Sequence, residues 1–209
     1  MATVYVYVME TLADWEIGNV MAELHSKRFF RKDAPEIEVK TVGNTEEAIH
    51  SMGGLTILPD CTTDKVIIDK SNMLILPGSD TWSDSGHETI LEKAEAFLEA
   101  GATVAAICGA TVALAGKGLL NERPHTSNGV GFLDMMCPDY KGQKYYIDEP
   151  SVVNNNLITA GCTGGLLMAK QILNNLHVFR DETLEAWYAY FSTGKAEHFF
   201  RLMQTIQQE

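Results

Sequence analysis

The sequence predicts an α/β protein, a three-layer sandwich with a mostly parallel central sheet and a sharp strand-to-helix turn, a nucleophile-elbow shape, at Cys108. Three observations predict it. Short runs of β-branched and aromatic residues, apolar on both faces, recur along the chain, as strands covered on both sides should. Segments with helical apolar spacing alternate with them. The length, 209 residues of which 45% are hydrophobic and 21% charged, is enough to bury a sizeable core. No internal repeat, low-complexity tract or linker-like stretch interrupts this pattern. Residues 1–209 therefore read as a single domain, with 179–209 as a C-terminal helical extension.

The elements follow in order. Thr3 to Val8 is a strand buried on both sides, and Ile17, Val20, Met21 and Leu24 then fall at helical spacing behind Asp14 as N-cap. Glu36 to Val42 is a second strand. Residues 48–58 form a hairpin turning at Gly53-Gly54. Met73 to Leu76 is a short buried strand stopped by Pro77-Gly78. Ser85 and Glu88 make a capping-box pattern before a helix whose apolar face carries Ile90, Leu91, Ala94, Phe97 and Leu98, with Gly101 as its stop. Thr103 to Ile107 is another buried strand, running into Cys108-Gly109-Ala110-Thr111 and an Ala/Leu-rich helix. Val152-Val153 and Leu157 to Thr159 flank an Asn-rich turn, a helix spans about Gly164 to Leu176, and two amphipathic helices close the chain.

Composition excludes several classes of function. Sixteen basic against 28 acidic residues give a net charge of −12, a field that repels nucleic-acid phosphates and anionic lipid. The start of the chain lacks the basic and apolar regions of a signal peptide. The uncharged stretch between Glu99 and Lys117 contains three glycines and reads as strand, turn and helix, not as a membrane span. Cys61, Cys108, Cys137 and Cys162 form no CxxC pair, which points to free thiols in a reducing cytoplasm. His25, His50, His87, His177 and His198 have no partners at metal-ligand spacing, so no metal is expected. No GxGxxG or GxxxxGKT occurs, and no cofactor is expected.

In open parallel sheets, sites form beyond the carboxyl ends of the strands. Three loops qualify: Ala13-Asp14-Trp15-Glu16, Pro77-Gly78-Ser79-Asp80 and Cys108-Gly109-Ala110. They bring a carboxyl group, a Gly-containing turn and a thiol to one sheet edge. A thiol at a strand-to-helix turn faces unpaired N–H groups that favour its thiolate, and the Gly109 amide is placed to bind an oxyanion. The same cysteine also fits as a small buried hydrophobe, and the local pattern leaves both readings open.

Ala105-Ala106-Ile107-Cys108-Gly109-Ala110-Thr111, Leu76-Pro77-Gly78, the early Glu16 and the hairpin at Leu157-Ile158-Thr159 resemble the PfpI-like intracellular protease and amidase family. That family lies in the parkinsonism-associated deglycase superfamily, with a class I glutamine amidotransferase-like fold. The resemblance covers roughly residues 3–178. It implies Cys108 as nucleophile and Glu16 as a carboxyl kept protonated by burial and bonded to the sulfur. Gly78 or Ser79, with Gly109, would supply oxyanion amides. The departures are specific. Gly109 stands where peptidase-like members have histidine, and Asn128 stands where others have one, on the strand after the nucleophile helix. Asn128 is thus a candidate substrate-oxygen donor. His125 would point away from that face, as a surface or hinge residue. Ala160-Gly161-Cys162-Thr163-Gly164 lacks the family's arginine and proline.

The reading is a cysteine-dependent hydrolase, amidase or glyoxalase-type enzyme acting on a small carbonyl or amide molecule, with peptide cleavage disfavoured for want of a histidine. Two alternatives stand beside it: a non-catalytic stress protein in which oxidation of Cys108 is the signal, and a scaffold with a vestigial site. Cys162 reads as a packed small residue, or as the thiol that resolves an oxidised Cys108. The aromatic-rich stretch from Leu184 to Met203 is explained by core packing and, for the remainder, by a homodimer contact.

Overall fold

The structure is a computed structural model describing residues 1–207; Gln208 and Glu209, the end of the expected 179–209 extension, lie outside the described residues. A seven-stranded sheet forms the centre. Its strands are β1 (Ala2–Tyr7), β2 (Ile37–Gly43), β5 (Cys61–Thr62), β6 (Met73–Leu76), β7 (Thr103–Ile107), β8 (Ser151–Asn154) and β9 (Leu157–Ala160), in the order β5-β2-β1-β6-β7-β9-β8. All neighbours are parallel except β8, which pairs antiparallel with β9. A separate hairpin joins β3 (Ile49–His50) to β4 (Thr56–Ile57).

Period-two alternation sorts the core into two layers. Val4, Val6 and Val8 face helices α1 (Asp14–Ser26), α5 (Gly165–Asn175) and α6 (Asp181–Thr193). Tyr5, Tyr7 and Met9 face α2 (Glu88–Glu99) and α3 (Gly109–Gly116). The register carries each layer across the sheet: Val6 lies opposite Ile75, Ile75 opposite Ala105, and Ala105 opposite Ile158. Helices on both faces of a mostly parallel sheet give the expected sandwich. A short helix α4 (Phe132–Met136) follows α3, and α7 (Ala196–Gln207) packs on α6. No helix among the described residues is long and apolar enough to cross a membrane.

Three local expectations are corrected. Asp14 is the first residue of α1 and Ala13 its cap; the Asp14 carboxylate instead accepts the Gly53 N–H at 2.6 Å, tying the hairpin turn to the helix. Ser85–His87 is a 3-10 turn with no side-chain cap on α2, so the capping-box pattern is not realised. His125 is neither surface nor hinge. It is fully buried, with Nδ1 2.6 Å from the Arg123 carbonyl and Nε2 2.6 Å from the Tyr140 hydroxyl.

Candidate active site

β1, β6 and β7 are neighbours, so their carboxyl ends deliver three loops to one place. At the end of β7, Cys108 adopts φ 58° and ψ −122°, a conformation that L side chains avoid and that costs about 1–3 kcal/mol. Its N–H donates to the Ala160 carbonyl at 3.0 Å. Its own carbonyl accepts from the Thr111 N–H at 3.0 Å and the Thr111 hydroxyl at 2.6 Å. The elbow is thus clamped from β9 and from the first turn of α3.

Glu16, in the first turn of α1, is only 1% exposed. Its Oε2 accepts the Gly78 N–H at 2.7 Å, while Oε1 lies buried against the Cys108 thiol without standard hydrogen-bond geometry. Two glycines make this placement possible. A Cβ at Gly78 would meet Oε2 at 2.6 Å, and one at Gly165 would meet the Glu16 carbonyl oxygen at 2.7 Å. The Gly78 amide, expected as an oxyanion donor, is therefore occupied by Glu16. Ser79 and Gly109 retain the candidate amides, and their backbones lie close together: a Cβ at Gly109 would sit 3.7 Å from the Ser79 nitrogen.

Asn128 reaches the site as expected. Its side-chain N–H donates to Cys108 Sγ at 3.3 Å, and its Oδ1 accepts the Cys162 N–H at 2.8 Å. The amide orientation is thereby fixed. Cys162 itself is held through its backbone and does not line the cavity.

The electrostatics differ from the expected ionised sulfur. Burial pushes the Cys108 thiol up to about 11; the Asn128 N–H and the Gly109 amide oppose this, and Glu16 as a carboxylate adds to it. Burial also raises the Glu16 carboxyl above its ordinary range, against the Gly78 N–H. Both shifts run toward the protonated form of each group. The helix mouth favours a thiolate, but desolvation and the neighbouring carboxyl outweigh it.

A cavity of about 700 Å³ opens over these groups. No histidine lines it among the described residues. Trp82, one wall, donates its indole N–H to the Pro77 carbonyl at 2.9 Å and so pins the loop after β6. Sequence reasoning missed how that loop is held. The Ser79 hydroxyl donates to the Glu10 carbonyl at 2.7 Å and meets the Thr11 and Thr81 hydroxyls. Thr81 in turn meets Nε2 of His87, whose Nδ1 faces the Tyr7 hydroxyl at 2.8 Å. Ser79 and Thr81 stand two positions apart in the sequence, but only the fold brings Thr11, about 70 positions away, into one network with them. No group of three or more His, Cys, Asp or Glu side chains suited to a metal occurs among the described residues.

The fold and site define an α/β protein with a cysteine elbow beside a buried carboxyl. Residues 2–175 match the DJ-1/PfpI family, and the chain belongs to that family. It is 45% identical over 205 residues to a Bacillus subtilis protein named "Uncharacterized protease YoaZ", covering 98% of each chain. The crystal structure of a thiJ/pfpI family protein from Bacillus anthracis is 44% identical and superposes with a TM-score of 0.94, covering 98% of this chain and 97% of that one. A DJ-1 superfamily protein from Agrobacterium tumefaciens, 27% identical, gives 0.80 over 93% and 99%. The family match ends in α5, whereas these relatives extend over α6 and α7.

Proposed function

We propose that this protein is a cysteine-dependent hydrolase of small carbonyl compounds, working in the cytoplasm, where its four free cysteines stay reduced. The observation that carries the reading is the strained, clamped backbone of Cys108. A cysteine that merely filled space would need no such conformation.

In the proposed reaction Cys108 Sγ attacks the carbonyl carbon while Glu16, as carboxylate, takes the thiol proton. The oxygen that gains the electron pair is bound by the Ser79 and Gly109 amides and the Asn128 N–H. Collapse of the adduct expels the alcohol, which leaves with the proton from Glu16. Water then attacks the acyl-sulfur bond, passes a proton through Glu16, and regenerates the thiol. An aldehyde would stop at the hemithioacetal, from which rearrangement of the glyoxalase type starts. Peptide amides are poor candidates, because an amine is a far worse leaving group than an alcohol and no histidine lines the cavity among the described residues to protonate it.

The test is turnover of p-nitrophenyl acetate and of methylglyoxal by the wild type and by Cys108→Ala. Protein quenched during ester turnover should carry an acyl group on Cys108 by mass spectrometry. Undiminished turnover by Cys108→Ala would overturn the reading.

A further inference from the structure

The cavity over Cys108 is longer than a small carbonyl needs, and its shape follows α3. That helix buries Ala110, Thr111, Leu114 and Ala115. Gly109, Val112, Ala113 and Gly116 lie on its other face and line the cavity, a strip of small apolar residues at helical spacing. A Cβ at Gly116 would meet nothing within 4 Å, so space continues to the end of the strip. Trp82 and Leu91 wall it from the β6–α2 side, and Phe132 and Met136 from α4. From Gly109 to Gly116 the helix rises about 10 Å. At the far end the Lys117–Glu88 ion pair closes the apolar strip with charge.

A small-residue strip alone would be only a gap. Here it is one wall of a cavity of about 700 Å³ whose near end holds Cys108, Ser79 and Asn128, polar groups grouped at one end of an otherwise apolar run. A reactive polar head at Cys108 and Glu16, followed by a narrow apolar run, defines a molecule of matching polarity.

We propose that the substrate is a carbonyl compound with an extended apolar tail, an acyl chain of medium length, whose carbonyl sits at Cys108 and whose tail lies along α3 toward Lys117. This rests on the hydrolase reading above and sets its substrate class. The tail supplies binding by leaving water, worth about three- to fourfold per methylene where the wall is apolar. The gain ends where the chain reaches the ion pair, because a longer tail must desolvate it or bend into solvent.

Two measurements test it separately from the chemistry. In the first, kcat/KM is compared for p-nitrophenyl acetate, butyrate, octanoate and palmitate. It should rise at least 100-fold from acetate to octanoate and gain nothing more at palmitate, and Gly116→Phe should cut the octanoate-to-acetate ratio at least tenfold. In the second, Cys108→Ala is titrated with octanamide and with acetamide, followed by tryptophan fluorescence; octanamide should bind at least 100-fold tighter. A flat ester series with octanamide no better than acetamide overturns the tail while leaving the hydrolase reading intact. Tight octanamide binding without ester turnover in the wild type overturns the hydrolase reading while the tail site stands.

Discussion

Glu16 and Glu23 lie two turns apart on α1, and each is 1% exposed. Glu23 is saturated. Its Oε1 accepts the Trp187 indole N–H at 2.9 Å and a short bond from Arg28, and its Oε2 accepts Arg28 Nε at 2.9 Å. Arg28 remains about half exposed, so the pair keeps contact with water. Glu16 receives a single backbone N–H and a neighbouring thiol, with no cation. The same helix therefore buries one carboxylate as a fastener between α1 and α6 and another as an incompletely satisfied acid. The difference teaches how to separate structural from chemical carboxylates at equal burial: count the partners, not the exposure.

Replacing Glu16 with Gln sharpens this contrast most. The variant keeps the acceptor for the Gly78 N–H but cannot take a proton from Cys108. Ester turnover should fall roughly 100- to 10,000-fold. Stability should hold or rise, because an undersatisfied buried acid is replaced by a neutral amide. Urea unfolding beside steady-state kinetics checks both halves. Full activity in Glu16→Gln would make Glu16 a second Glu23.

Glu23→Leu should behave in the opposite way. It leaves the Trp187 N–H buried without its acceptor and releases Arg28 to solvent, a loss of about 2–3 kcal/mol in urea unfolding. The iodoacetamide reactivity of Cys108 should not move. A changed thiol in that variant would mean that the two carboxylates are coupled along α1.

The legibility of the molecule followed the range of the physics. Buried strands, their order along the chain and the elbow at Cys108-Gly109 depend on local pattern, and they were legible. Asn128 was legible through its alignment to a family position, and it does reach the sulfur. What failed depended on partners far away in sequence. Ser85 and Glu88 fit a capping pattern, yet the chain turns there as a 3-10 segment that seats His87 against Tyr7 and Trp82. His125 looked peripheral because strand alternation turns it from the site, but Tyr140 and the Arg123 carbonyl wait on that other side. Gly78 looked like an oxyanion donor until the fold placed Glu16 on its amide. The balance at the thiol was likewise hidden, since helix-end amides are local and desolvation is not.

That balance gives the smallest effect and the finest discrimination. The thiol is pushed up to about 11 by burial, with Glu16 as carboxylate adding to the rise and the Asn128 and Gly109 N–H groups opposing it. A neighbouring anion disfavours a thiolate, so removing that anion must bring the thiol down. At about pH 9, close to the ordinary thiol value, Glu16→Gln should therefore alkylate at Cys108 several-fold faster than the wild type, although its turnover is crippled. The wild-type alkylation rate should still be climbing where an ordinary thiol has levelled off. Asn128→Ala should move it the other way, slowing alkylation, because it deletes a donor to the sulfur. If Glu16→Gln alkylates more slowly, Glu16 rests as a neutral acid donating to sulfur. Its part in the reaction then begins with giving a proton rather than taking one.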